Sequence, residues 1–190
     1  MKKTILSLVL TTFIGASTMA NPIEKETKTV KAEESKVTWK AYKVAGSHTG
    51  TVKLQSGALE FDGDKLVGGE FVVDMTSINT TDLEGDYKNK LDGHLSSADF
   101  FSTENNPTSK LVFTKVKSSG KNSYEVTGDL TIKGITKPVT FDVSVYGSKA
   151  TATLKVDRTK YDIKYSSGLI GTAKDKLIYD EFDLVVDLQM

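Results

Sequence analysis

The chain has 190 residues, with 25 basic and 25 acidic side chains, no cysteine and 38% hydrophobic residues. Such a length and balance describe one soluble domain, or a domain with a tail, large enough to bury a sizeable core. The lack of cysteine excludes disulfides, thiolate metal ligands and cysteine nucleophiles, and a neutral chain whose sole arginine is Arg158 lacks the basic face that nucleic acid requires.

Met1-Lys2-Lys3 is a basic start, Ile5 to Ile14 is mostly apolar, and Thr18-Met19-Ala20 supplies small residues before a cleavage point. This three-part layout predicts a signal peptide over residues 1–20 and export to the periplasm, with an extracellular location left open. The apolar run falls short of the ~20 residues that a bilayer crossing needs, so no transmembrane segment is expected. Without a cysteine after it, a lipoprotein anchor is excluded. Residues 21–34 are polar and free of aromatics, which predicts a flexible leader.

Residues 35–190 form the body, where apolar and polar residues alternate, the mark of strands with one buried face. Strands are expected over 36–45, 49–61, 66–76, 110–118, 123–132, 138–146, 149–157 and 177–189. Turn residues separate them, among them Asp62-Gly63-Asp64, Gly120-Lys121-Asn122 and Gly147-Ser148. In the second strand Val52 and Leu54 are even but Leu59 and Phe61 odd, which predicts a bulge near Ser56-Gly57. The segment Thr81 to Phe101 does not alternate. Leu83, Tyr87, Leu91, Leu95 and Ala98 recur at helical spacing, with Asp82 placed to cap the start and Gly85 and Gly93 weakening the run, so one or two short helical pieces are expected.

The pattern specifies an all-β fold: an eight-stranded antiparallel barrel, joined as an up-and-down meander, with one inserted helical segment. Closure removes the exposed edges and buries one face of every strand. The inward parity holds Val37 and Trp39; Phe71, Val73 and Met75; Val126, Leu130 and Ile132; Phe141 and Val143; Leu154 and Val156; and Phe182, Leu184 and Val186. Of Phe100 and Phe101, one is expected to plug the barrel base and the other to face the lumen. A barrel of this size is either filled by side chains or holds one small ligand. Periodicity leaves the two open. A lumen so lined takes only an apolar ligand, because an unpaired buried polar group costs about 1–3 kcal/mol.

Two stretches resemble a known family. Gly93-His94-Leu95-Ser96-Ser97-Ala98-Asp99-Phe100-Phe101, followed by Pro107 and Phe113, is similar to a signature of the YceI-like proteins, and so is Gly128-Asp129-Leu130-Thr131-Ile132-Lys133-Gly134-Ile135-Thr136-Lys137-Pro138-Val139. Ser35 to Gly50 with Trp39 and His48, the turn Arg158-Thr159-Lys160-Tyr161 and the strand Asp180 to Leu188 fit in order, with Lys160 a mild departure. The resemblance implies a lipocalin-like barrel over 35–190, exported, that holds a polyisoprenoid or similar long lipid. Carried onto this chain, the lipid contacts are the inward residues from Trp39 to Val186 together with Phe100 and Phe101.

The polar candidates for chemistry are few. His48 and His94, with Asp92 or Asp99, do not have metal-ligand spacing, and no metal or cofactor is assigned. No Gly-x-Ser-x-Gly elbow is present, and Gly68-Gly69 lies in a strand rather than before a helix, so the chain is read as non-enzymatic. His48 is expected in a turn near the rim, and His94 on the helix, bonded to a loop carbonyl. Arg158 is expected to pair with Asp157 or Asp162 rather than with a ligand head group. The expected partner is a long-chain apolar lipid, with a homodimer left open. Two rival readings are a packed-core exported barrel acting through its surface in envelope stress tolerance, and a hydrolase or isomerase using His48 or His94.

Overall fold

Alternation becomes a closed wall. The computed structural model describes residues 25–171, 173 and 177–190; the signal peptide expected over 1–20 lies outside them. Its strands are β1 (Lys25–Thr29), β2 (Lys36–Lys43), β3 (Gly46–Asp62), β4 (Lys65–Thr80), β5 (Thr108–Gly120), β6 (Ser123–Ile132), β7 (Ile135–Tyr146), β8 (Lys149–Asp157) and β9 (Ile178–Gln189), with α1 (Gly85–Ser96) between β4 and β5. Sequential strands pair antiparallel from β2 to β9, and β9 returns to pair with β2, from Lys36↔Asp187 to Lys43↔Ile178. The result is an eight-stranded antiparallel barrel with one helix.

The ninth strand does not widen the ring. β1 pairs with β3 from Lys25↔Asp62 to Thr29↔Ala58, while β2 takes the same strand from Val37↔Val52 to Lys43↔Gly46. The two lie end to end along β3, joined by a 3₁₀ turn at Ala32–Glu34. Residues 25–34 are therefore not the flexible leader that their composition predicted. β1 has no apolar period because it is largely exposed. Backbone bonds to β3 hold it instead, and the buried Val30 anchors its end, donating its N–H to the Gly57 carbonyl at 2.8 Å.

β3 and β4 form the longest hairpin, turned at Gly63 with φ +58°. The pairing of β3 with β4 slips between Leu54 and Ser56. Burial passes there from Val52 and Leu54 to Leu59 and Phe61, where the parity change placed a bulge. The barrel then has two unlike ends. One carries the short hairpin turns at Gly63, Asn122 and Gly147. The other carries α1, the turns that follow it and the segment after β8.

The helix caps rather than lines the wall. Of its expected stripe only Leu95 is buried, Leu91 is partly so, and Tyr87 is 76% exposed. Asp82 does not cap it: Glu84 stands at the N-cap without a side-chain bond, and Asp82 turns to β3 instead. The Asp92 Oδ1 accepts the Thr80 N–H at 2.8 Å, and Lys88 donates to Asn79 Oδ1 at 2.7 Å while pairing with Asp92. These bonds, more than apolar burial, fasten α1 to the end of β4.

Candidate functional site

The interior is not filled. Two chambers of about 120 Å³ and 90 Å³ lie within the barrel and share Val37, Val73, Ser109, Leu130 and Leu184 as a common waist. The larger, at the helix end, is also lined by Trp39, Met75, Phe100, Phe101, Ile132, Arg158 and Phe182. The smaller, at the hairpin end, is lined by Phe71, Phe141, Val143, Leu154 and Val186. Valines and other medium side chains at the waist do not reach across, so space remains along the axis.

All the expected inward residues line a chamber except Val126 and Val156. Val126 and Val156 are buried but line neither chamber. Each stands opposite a phenylalanine in its ladder, Val126 beside Phe141 and Val156 beside Phe182, and the ring rather than the valine meets the space. Several lining residues were missed: Val52, Leu54, Ile78, Leu95, Ser109, Leu111, Phe113, Ala150 and Leu188. In β5 the shared parity of Ser109, Leu111 and Phe113 carried the signal, but a serine among two apolar residues hid it.

Phe100 and Phe101 both face the helix-end chamber, correcting the division into one plug and one lumen contact. Phe100 packs against His94, with ring centroids 4.8 Å apart, and beneath Arg158 at 5.7 Å. Phe101 meets Phe182 edge-on at 6.4 Å. His94 also touches the Tyr165 ring at 4.5 Å. Its Nε2 is buried without a partner, so the loop carbonyl expected for it is not there. Aromatic contacts hold the imidazole instead.

Arg158 is buried and structural, but its carboxylate partner is neither Asp157 nor Asp162. Its Nε donates to the Tyr179 carbonyl at 3.2 Å, Nη1 to the Ile163 carbonyl at 2.8 Å and Nη2 to the Ile178 carbonyl at 2.9 Å. Nη2 also reaches Asp180 Oδ1 at 3.4 Å. Burial pulls the guanidinium below its ordinary pKa, against the opposing pull of Asp180 and Asp157. Asp157 accepts the Thr159 N–H at 3.0 Å, and Asp162 pairs with Lys164 at 2.7 Å. The fork of one arginine thus ties the segment after β8 to the start of β9.

His48 stands at the rim on β3, its Nδ1 3.0 Å from Asp82 Oδ2, and the Thr49 N–H donates to Asp82 Oδ1 at 3.1 Å. Burial raises the Asp82 carboxyl, but Thr49 and His48 outweigh it and hold the group below its ordinary pKa. Asp92 behaves alike: burial raises it, and Lys88 and Thr80 more than offset the rise. Among the described residues no cluster of three or more histidines or carboxylates has metal-binding geometry. No helix among them is long and apolar enough to cross a membrane.

Comparison with known proteins places this geometry. The model of the YceI-like domain matches residues 29–190. The chain belongs to the YceI-like family. Both resembling motifs lie inside the matched segment, whose start falls at the end of β1 rather than at Ser35. The UPF0312 protein of Pseudomonas putida (strain W619) is 34% identical over 148 residues, 77% of this chain and 74% of that protein. Protein YceI of Escherichia coli O157:H7 is 37% identical over 98 residues, 52% of this chain and 49% of that protein. Among solved structures, BcnA of Burkholderia cenocepacia superposes with a TM-score of 0.68 at 23% identity, covering 84% of this chain and 98% of BcnA. The YceI protein of Campylobacter jejuni gives 0.56 at 17% identity, covering 100% and 98%. At these identities the two structures speak for the fold of the YceI-like barrel. None of these names carries an enzymatic activity.

Proposed function

We propose that this YceI-like chain is an exported, non-enzymatic binding protein of the periplasm that sequesters or carries a long apolar lipid, a polyisoprenoid or similar, in its lumen. The observation that carries the reading is the pair of apolar chambers meeting at a shared waist. Space of that form suits a chain laid along the barrel axis. Each buried methylene contributes about 0.8 kcal/mol, so a long chain binds tightly without a set of specific hydrogen bonds. Lumen length and width then set selectivity. The unfilled interior favours this reading over a packed barrel acting through its surface alone. His48 held by Asp82, and His94 held by aromatic rings, supply no nucleophile and base pair for a hydrolase.

Native mass spectrometry of the protein purified from its own envelope tests the carrier. A bound mass of several hundred daltons, released by organic solvent, is the expected result, and a bare protein would overturn it. Amino-terminal sequencing of the same material tests export, with Asn21 expected as the first residue.

A further inference from the structure

The barrel wall is not hydrogen-bonded along its whole height. β4 and β5 pair only from Glu70↔Val112 to Asp74↔Thr108. Toward the hairpin end both strands continue, β4 back to Lys65 and β5 on to Gly120. There the ladder partners of residues 65–69 all lie on β3, and those of residues 113–120 all lie on β6. β7 and β8 part in the same way toward the helix end, where their pairing stops at Asp142↔Thr153. A piece of chain covers that second gap: the 3₁₀ turn Arg158–Tyr161 lies against β7, and Tyr161 and Ile163 are fully buried. Among the described residues the first gap has no such cover, and Lys65, Val67, Thr114 and Lys115 stay exposed along it.

Side chains alone close this seam. Leu66, 3% exposed, and Val116 pack with the core. Phe113 lines the hairpin-end chamber, its ring 5.7 Å from that of Phe71 and 5.8 Å from that of Phe141. A Cβ at Gly69 would lie 3.0 Å from the Phe113 ring, so the ring rests on bare β4 backbone. The β5–β6 ladder slips at the same place, between Phe113 and Lys115, and a bulge of this kind bends a strand and re-aims its side chains. Parting a laddered pair of strands breaks a row of backbone hydrogen bonds, whereas parting β4 from β5 beyond Glu70↔Val112 breaks none between them. At the helix end, by contrast, the bonds of Asp92 and Arg158 tie down α1 and the segment after β8.

From this we propose that the β4–β5 seam is a lateral portal of the hairpin-end chamber, with Phe113 as its gate, and that the hydrocarbon chain of the ligand enters and leaves between these two strands. The proposal rests on the lipid-binding reading above and adds the route of the bound molecule.

The absence of cysteine makes the seam directly addressable. Val67→Cys combined with Lys115→Cys sets one thiol on each side of it, at exposed positions, and a bis-maleimide with a reducible linker joins the two. The full chain, stripped of lipid, is offered tritium-labelled hexadecane in phosphatidylcholine vesicles, and uptake is followed in time. Linking is expected to slow uptake at least about 10-fold without changing the amount bound at equilibrium, and cleaving the linker to restore the parent rate. Each single-cysteine protein, capped with N-ethylmaleimide, should keep the parent rate. Phe113→Ala, unlinked, is expected to speed both uptake and release about 10-fold. Uptake by the linked protein as fast as the parent's, or exchange by a folded Phe113→Ala no faster than the parent's, would overturn the portal and leave the apolar lumen standing. If the parent takes up no hexadecane, the lumen reading itself falls and takes the portal with it. The linking experiment does not depend on how well Phe113→Ala folds.

Discussion

Asp92 and Thr80 are joined across a helix and a strand: the carboxylate of α1 accepts the N–H of the last residue of β4 at 2.8 Å. With the His48–Asp82 contact at 3.0 Å, this bond fixes the connection that carries the helix over one mouth of the barrel. Both carboxyls sit below their ordinary pKa when folded. The sign follows: their contribution is complete above the unfolded carboxyl value of about 3.9 and is lost as pH falls through the lower folded values. Melting temperature should therefore drop from about pH 4 downward. The double change Asp82→Asn with Asp92→Asn should lower it by a few degrees at pH 7, with ~2–4 °C expected per kcal/mol, and flatten the acid limb. An acid limb as steep in the double variant as in the parent would assign the loss to other groups.

Gly50→Ala places a methyl group 2.1 Å from the backbone carbonyl oxygen of Asn79 and against the Trp39 indole. Overpacking of this kind costs about 1–3 kcal/mol. Urea unfolding followed by the emission of the single tryptophan should show a lower midpoint and a native-state spectrum shifted from the parent's. An unchanged midpoint would mean that both the ring and the β4 backbone at Asn79 give way.

Val143 is 3% exposed and lines the hairpin-end chamber. Val143→Trp should fill that chamber, leave the strand content seen by circular dichroism intact and abolish lipid retention. A folded variant that copurifies with as much lipid as its parent removes the lumen from the mechanism.

Arg158→Lys keeps the charge and loses the fork. An ammonium on a flexible stem cannot serve the carbonyls of Ile163, Ile178 and Tyr179 together. The expected cost is about 1.5–3 kcal/mol. Hydrogen exchange should quicken over residues 158–171 and at the start of β9, with the β5–β7 ladders unaffected. Uniform quickening across the barrel would show instead that the arginine holds the whole fold.

Strands were readable because each one buries a single face, and a period of two survives from sequence to wall. Periodicity is silent where burial is not what holds a segment. Lys25 to Thr29 carries no apolar alternation, since β1 is held by backbone bonds to β3. The stripe on α1 suggested a buried flank, but the helix meets the barrel with its last turn and with Asp92. In the lumen the apolar residues could be found by parity, whereas Ser109 could not, because nothing local marks a serine as inward. Arg158 shows the same limit: the nearest acids in sequence were Asp157 and Asp162, yet the chain returns β9 to it and supplies Asp180.

The end-to-end arrangement of β1 and β2 has a consequence for association between molecules. Every strand from β2 to β9 has a neighbour on both sides, whereas β1 is paired with β3 alone. Its outer rim is thus open to a foreign segment, and that rim is short and carries Lys25, Glu26 and Lys28. Charge on so brief a border disfavours strand-by-strand growth along it.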